Sequence, residues 1–145
     1  MIVTLSESQT IALLEVLRIL RHNESRFARK KIYESYLDRK FENLESLDLE
    51  TIHYVEKLNG DFDEIGFLVE EFQIKEQLFP LYSDTIRRIW IILENYLQKE
   101  QNKRSKKDPA SKQFSYYFTN LAQEAKKYRD KNNLPEPGIT DLRNT

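Results

Sequence analysis

The chain contains no cysteine. That excludes disulfides, thiolate zinc sites and thiol nucleophiles, and it suits a reducing cytoplasm. Only three Gly and four Pro occur in 145 residues. Turn-formers this scarce argue against a many-turned β architecture and fit long helices with short connections. Histidine is limited to His22 and His53, so little imidazole is available for metal or acid–base chemistry. No apolar run approaches the roughly 18 residues a membrane span needs. Met1 to Thr10 has no basic stretch ahead of an apolar one, which argues against a signal peptide. The expectation is a soluble, cytoplasmic protein without a membrane span.

Apolar residues recur instead at spacings of three and four. One stripe is Val55, Leu58, Phe62, Ile65, Val69 and Phe72; a second is Ile86, Ile89, Trp90, Leu93, Tyr96 and Leu97; a third is Phe114, Tyr117, Phe118, Leu121, Ala125 and Tyr128. Residues so spaced share one face of an α-helix, and three such faces need a common core. The fold class is therefore all-α, a single-domain bundle of four to five helices. Its centre is expected to be an antiparallel pair, about Leu49 to Phe72 against Ser83 to Lys99. Residues 1–131 form the domain, and 132–145, which open on Asn-Asn-Leu-Pro-Glu-Pro-Gly, form an extended or flexible tail.

Along the chain, Ser6-Glu7-Ser8-Gln9 has the form of a capping box and starts a first helix. That helix is expected to run to about His22 with Ile11, Leu14, Leu17 and Leu20 inward. Asn23 or Ser25 caps a second, about Arg26 to Lys40, with Phe27, Ile32, Tyr33 and Tyr36 inward; a single long rod is the alternative. Both packing onto the bundle and projecting from it are compatible with these patterns. Phe41 to Leu47 reads as a loop, and Asp48 as the cap of the next helix. The stripe keeps its phase across Gly60, which predicts an uninterrupted helix there. Gly66 beside the stripe predicts close approach of a neighbour. Gln73 to Tyr82, with Pro80, reads as a connector with Ile74, Leu78 and Phe79 tucked beneath it. Ser83 or Asp84 then caps the Trp90 helix, whose apolar arc of about 160° predicts a central position touching two neighbours. Lys99 to Lys112 reads as a mobile polar loop, and Ser111 to Lys131 as the last helix.

The residues Phe62-x-x-Ile65-Gly66-x-Leu68-Val69, Ile86-x-x-Ile89-Trp90-x-x-Leu93 and Tyr117-Phe118-x-x-Leu121 resemble a family of small uncharacterised bacterial helical proteins, known only as a domain of unknown function. The resemblance spans Leu58 to Tyr128, about half the chain. It implies a helix pair bearing the isoleucine-glycine and tryptophan positions, and no catalytic residue. Many proteins similar to these carry a membrane span ahead of the helical domain, which does not occur in these 145 residues.

Candidate chemistry is sparse. Glu50-x-x-His53 has the spacing of di-iron bundles, but the fold that uses it needs two copies and His22 has Ile19 three residues before it. Asp61-x-Asp63-x-x-Gly66 opens like a calcium loop, yet its fifth and twelfth positions would be Ile65 and Phe72, which cannot ligate. Phosphate-cradle, dinucleotide and hydrolase-elbow signatures are absent. No catalytic, cofactor or metal residue is assigned, and the reading leans away from an enzyme. Charge is more informative. Eight Lys/Arg against three acids lie between Arg18 and Lys40, eleven acids against two Lys between Glu42 and Glu76, and six Lys/Arg against two acids between Lys99 and Lys112. Arg26, Arg29, Lys30 and Lys31, with Lys103, Arg104, Lys106 and Lys107, are the candidate anion-binding residues. An overall pI near 6.2 weighs against a dedicated nucleic-acid module. The expected function is a non-catalytic helical interaction or regulatory module, binding a protein partner or a second copy of itself. Nucleic-acid or polyanion binding through 26–31 and 103–112 is the alternative.

Overall fold

A computed structural model describes residues 4–139. Five helices follow one another: α1 Glu7–Arg21, α2 Asn23–Leu37, α3 Leu49–Phe72, α4 Lys75–Lys107 and α5 Tyr116–Lys131, with 3-10 turns at Lys40–Glu42, Leu44–Ser46 and Pro109–Gln113. Among the described residues there is no strand, so the all-α bundle stands. Residues 1–3 and the tail from 140 lie outside the described residues.

The capping box forms as spaced. The Ser6 hydroxyl accepts from the Gln9 N–H at 3.1 Å, and the Gln9 side chain accepts from the Ser6 N–H at 2.9 Å. Gln9 Nε2 also donates to the Phe72 carbonyl at 3.1 Å, tying the start of α1 to the end of α3. The rotation of α1 differs from the expectation. Ala12, Val16, Ile19 and Leu20 face the core, whereas Ile11 and Leu14 are each 61% exposed. An α1 that is apolar on most sides permits more than one stripe, and packing onto α3 selects the one containing small Ala12.

The first two helices are separate and both pack on α3. The break is at His22, where ψ of 139° leaves helical space and the imidazole Nδ1 accepts from the Glu24 N–H at 3.2 Å. His22, not Asn23 or Ser25, is therefore the cap. Small residues Ser25, Ala28 and Ser35 join Ile32 on the inner face of α2, while Phe27 is 50% exposed and Tyr36 also turns outward. Close helix approach favours small side chains, so the larger rings are displaced to the rim.

Asp48 caps α3 by accepting from the Thr51 N–H at 2.7 Å, and α3 continues through Gly60. Val55, Leu58, Phe62 and Ile65 are fully buried. The connector after α3 is only Gln73, in the left-handed region at φ 54°, and Ile74. The helix then resumes at Lys75 with Pro80 inside it, so neither Ser83 nor Asp84 is a cap. Pro80 lacks the N–H that would reach the Glu76 carbonyl, but both residues are exposed and water can satisfy that oxygen. Ile74, Leu78 and Phe79 are buried as expected.

At its far end α4 runs through most of the segment read as a loop. Gln98 to Lys107 is built from good helix formers, and Arg104, Lys106 and Lys107 in the last turn complement the helix dipole. Asp108 and Pro109 stop it, and the Asp108 side chain caps the following 3-10 turn through the Ala110 N–H at 3.0 Å. The last helix consequently starts at Tyr116 rather than Ser111.

The hub of the bundle is α3, which packs broadly against α5, α2 and α1. The pair expected at the centre is a narrower contact. α4 meets α3 over a short stretch and packs mainly on α5 and the Pro109–Gln113 turn, with a further contact to α2. An aromatic node ties α3, α4 and α5 together: the Phe118 ring stacks on Phe62 at 5.2 Å between centroids and receives Trp90 edge-on at 5.0 Å.

The described part of the tail is extended and docked. Arg87, 6% exposed, makes a two-pronged ion pair with Glu136 at 2.6 and 2.9 Å and donates to the Ala122 carbonyl. Arg129 donates to the Pro135 carbonyl at 2.7 Å, and Arg88 to the Gly138 carbonyl. The Arg87 hydrogen bond holds the Glu136 carboxyl below the usual range. A depressed folded value means stability that is present above the unfolded pKa and lost as pH falls through the folded one. Glu136→Gln is expected to lower stability by about 1 kcal/mol at pH 7, after allowance for the exposure of Glu136. The gap from wild type in thermal melts is expected to begin to narrow below about pH 4.3, the ordinary glutamate value, and to close as pH falls through the lower folded value. A gap that is constant from pH 7 to 3 would rule out the ionic contribution.

Candidate interaction surfaces

The basic residues are placed on α2 and on the last turns of α4. Arg29 is used internally: Nη2 donates to the Leu20 carbonyl at 2.7 Å and Nη1 to the Ser25 hydroxyl at 3.0 Å. It thus satisfies a carbonyl at the end of α1. Burial draws its pKa down, although a guanidinium stays charged. The other three cations, Arg26, Lys30 and Lys31, share the outer side of α2 with Phe27. Lys31 lies 5.4 Å from the Phe27 ring centroid and 3.6 Å from the Glu34 carboxylate.

On α4, Lys103, Lys106 and Lys107 are exposed, and Arg104 sits 4.4 Å over the Phe114 ring. The side chain of Lys112 lies outside the described part. The two groups sit on different helices against different rings: Lys31 of α2 beside Phe27, and Arg104 of α4 over Phe114.

A shallow cleft of about 530 Å³ opens beside Phe27, lined also by His53, Tyr54 and Lys57. Phe27 and Tyr54 meet edge-to-face at 5.8 Å, and the Tyr54 hydroxyl donates to Glu50 at 3.3 Å. Glu24, Glu34 and Glu50 balance the nearby cations, so the cleft has no strong charge of one sign. Lys57 is held by Asp61 at 3.0 Å.

The acid-rich motif on α3 has a structural role. Ser115 at φ 57° gives α5 no side-chain cap. Asp63 of α3 replaces it, accepting from the Phe118 N–H at 3.0 Å, and the Ser115 hydroxyl donates to Asn59 at 2.5 Å. Burial pushes the Asp63 carboxyl up, against the opposing pull of the Phe118 and Tyr117 N–H groups. Asp61, Asp63 and Gly66 therefore lie on one helix and form no ion-binding loop. Among the described residues no group of three or more His, Asp or Glu is arranged to hold a metal ion. Nor is any helix long and apolar enough to cross a membrane.

In comparisons with family models, curated proteins and solved structures, the chain finds no match. Its surface is thus the guide to function.

Large apolar side chains remain at several points of that surface, among them Phe27, Leu49 and Leu81, and two sets lie together. Ile11 and Leu14 stand on the side of α1 opposite its buried stripe. Phe67 of α3, exposed, meets Tyr117 edge-on at 5.3 Å, and Tyr117 meets the exposed Tyr116 at 5.1 Å. Sequence reasoning assigned Ile11 and Leu14 to the core. The signal that could have separated them was the second stripe, Ala12, Val16, Ile19 and Leu20, offset around the same helix.

Proposed function

We propose that this chain is a non-catalytic interaction or regulatory module that binds another protein surface through the apolar side chains α1 leaves outside. The observation that carries the reading is the 61% exposure of both Ile11 and Leu14 on a helix whose other side is already packed. A helix apolar on two sides has a second face to cover. The Phe67, Tyr116 and Tyr117 rings add aromatic area of the kind enriched at binding hot spots. A reducing cytoplasm is the compartment that fits a cysteine-free chain.

A photoreactive phenylalanine analogue placed at Leu14 or Phe67 in producing cells tests this. Discrete cross-linked adducts are expected at these positions and not at exposed polar Lys103. Absence of adducts at Leu14, Phe67 and Tyr116 alike would sink the reading.

Polyanion binding is the second reading, favoured by Arg26, Lys30 and Lys31 clustering beside the exposed Phe27 ring. Retention of DNA or RNA on filters, falling steeply with salt, is its expected signature. No retention at low salt excludes it.

A further inference from the structure

Four residues on the outer face of α1 are arranged symmetrically along the helix. Glu7, Ile11, Leu14 and Arg18 lie within an arc of about 60° at 3.6 residues per turn. Ile11 and Leu14 are equidistant from the midpoint between Ala12 and Leu13, and so are Glu7 and Arg18. The face therefore has an acid at one end, a base at the other and two large apolar side chains between. All four residues are exposed. Glu7 forms no ion pair among the described residues, and Arg18 is ion-paired with Glu15 of its own helix, with Glu64 of α3 adding to the negative field around it. Such an exposed pair holds its partners weakly and leaves the guanidinium able to take a second carboxylate.

We infer that this face binds a second copy of the chain, the two α1 helices lying antiparallel about a twofold axis that passes between Ala12 and Leu13. The inference rests on the interaction reading above and names its partner. In this register Ile11 packs on the partner's Leu14, and Leu14 on the partner's Ile11. Glu7 faces the partner's Arg18, and the symmetry repeats that pair at the other end. A twofold contact requires one patch to be complementary to itself, which this acid–apolar–apolar–base order satisfies. The parallel alternative sets Glu7 against the partner's Glu7 and Arg18 against the partner's Arg18. Like charges at both ends disfavour it. With one helix from each copy, the contact is at the small end of specific interfaces, and the dimer is weak and concentration-dependent.

Sedimentation equilibrium of the full chain from about 1 μM to about 1 mM measures the association. Wild type is expected to approach twice 17.4 kDa at the upper end. Leu14→Asp is expected to abolish association with its melting temperature unchanged, since Leu14 contributes little to the core. Glu7→Arg and Arg18→Glu singly put like charges at both ends and are expected to weaken association about tenfold. The double reversal is expected to restore it to near the wild-type value.

Register is read separately. Because the chain has no native thiol, Glu7→Cys and Arg18→Cys copies mixed together are expected to be joined by a short bis-maleimide. Glu7→Cys alone is not, since the two Glu7 positions would lie about 16 Å apart along the helix axes. A protein that stays monomeric throughout overturns the inference, as does a dimer indifferent to charge reversal or one that cross-links through Glu7→Cys alone. Adducts at Leu14 to a different protein, with the isolated chain monomeric, overturn self-association while leaving the interaction reading intact. Absence of any adduct removes both.

Discussion

Phe118→Ala is expected to destabilise the protein by about 4 kcal/mol, the upper part of the range for deleting a buried aromatic ring. Phe118 has no solvent exposure, and its ring is the shared contact of Phe62 from α3 and Trp90 from α4. Truncation removes the buried apolar area, two aromatic pairs and the only ring that α5 contributes to the node. Neighbouring helices hold the ring on several sides, so collapse into the space is limited and a cavity persists. Urea unfolding followed by circular dichroism checks the size, with an unchanged slope confirming that the unfolded state is the same. The single Trp90 lies against the missing ring and reports the loss of packing in its fluorescence. A loss below about 2 kcal/mol would mean that the node relaxes and does not lock the three helices.

The two glycines of α3 are expected to respond to alanine with opposite signs. At Gly66 a Cβ would lie 2.7 Å from the Tyr117 carbonyl carbon and press on its oxygen, both backbone atoms that cannot rotate aside. Relief requires α5 to move away from α3 along its broadest contact, which would also strain the Asp63 hydrogen bond to the Phe118 N–H. Overpacking against backbone places the expected loss for Gly66→Ala at about 3 kcal/mol. At Gly60 a Cβ meets nothing within 4 Å, and the helical position favours alanine, so Gly60→Ala is expected to gain up to about 1 kcal/mol. Thermal melts of the two variants side by side decide it. A neutral Gly66→Ala would show that α3 and α5 are not in the close contact described.

Different parts of the molecule were legible to different degrees, for local reasons. The α3 stripe could be followed through Gly60 because its apolar positions lie on a single side, so periodicity and burial agree. The Ser6–Gln9 box and the Asp48 cap were readable because capping is decided within three residues. At Pro80 the local rule misled: proline disfavours a helix interior, but here it removes one hydrogen bond at an exposed carbonyl while Leu78 and Phe79 anchor the same turn in the core. Beyond Lys99 the loss of apolar residues suggested a loop, yet helix-forming side chains and the pull of the C-terminal dipole carry α4 on in water.

Charge density along the sequence brought Arg29 into the candidate anion site together with Arg26, Lys30 and Lys31. The fold turns it inward onto the Leu20 carbonyl. No composition or spacing argument reaches that outcome, because it depends on where α1 ends relative to α2. The pairing of Arg87 with Glu136, 49 residues on, is invisible for the same reason.

By itself the sequence determined that the chain is helical, that Ser6 and Asp48 cap α1 and α3, and which side of α3 is core. Those properties depend on residues three and four apart. Only the tertiary structure decided that α3 rather than α4 is the hub, which of the two apolar sides of α1 is buried, and therefore that Ile11 and Leu14 are left for a partner. When a helix offers two comparable stripes, burial goes to the one whose shape fits its neighbours, and that fit exists only once the neighbours are in place.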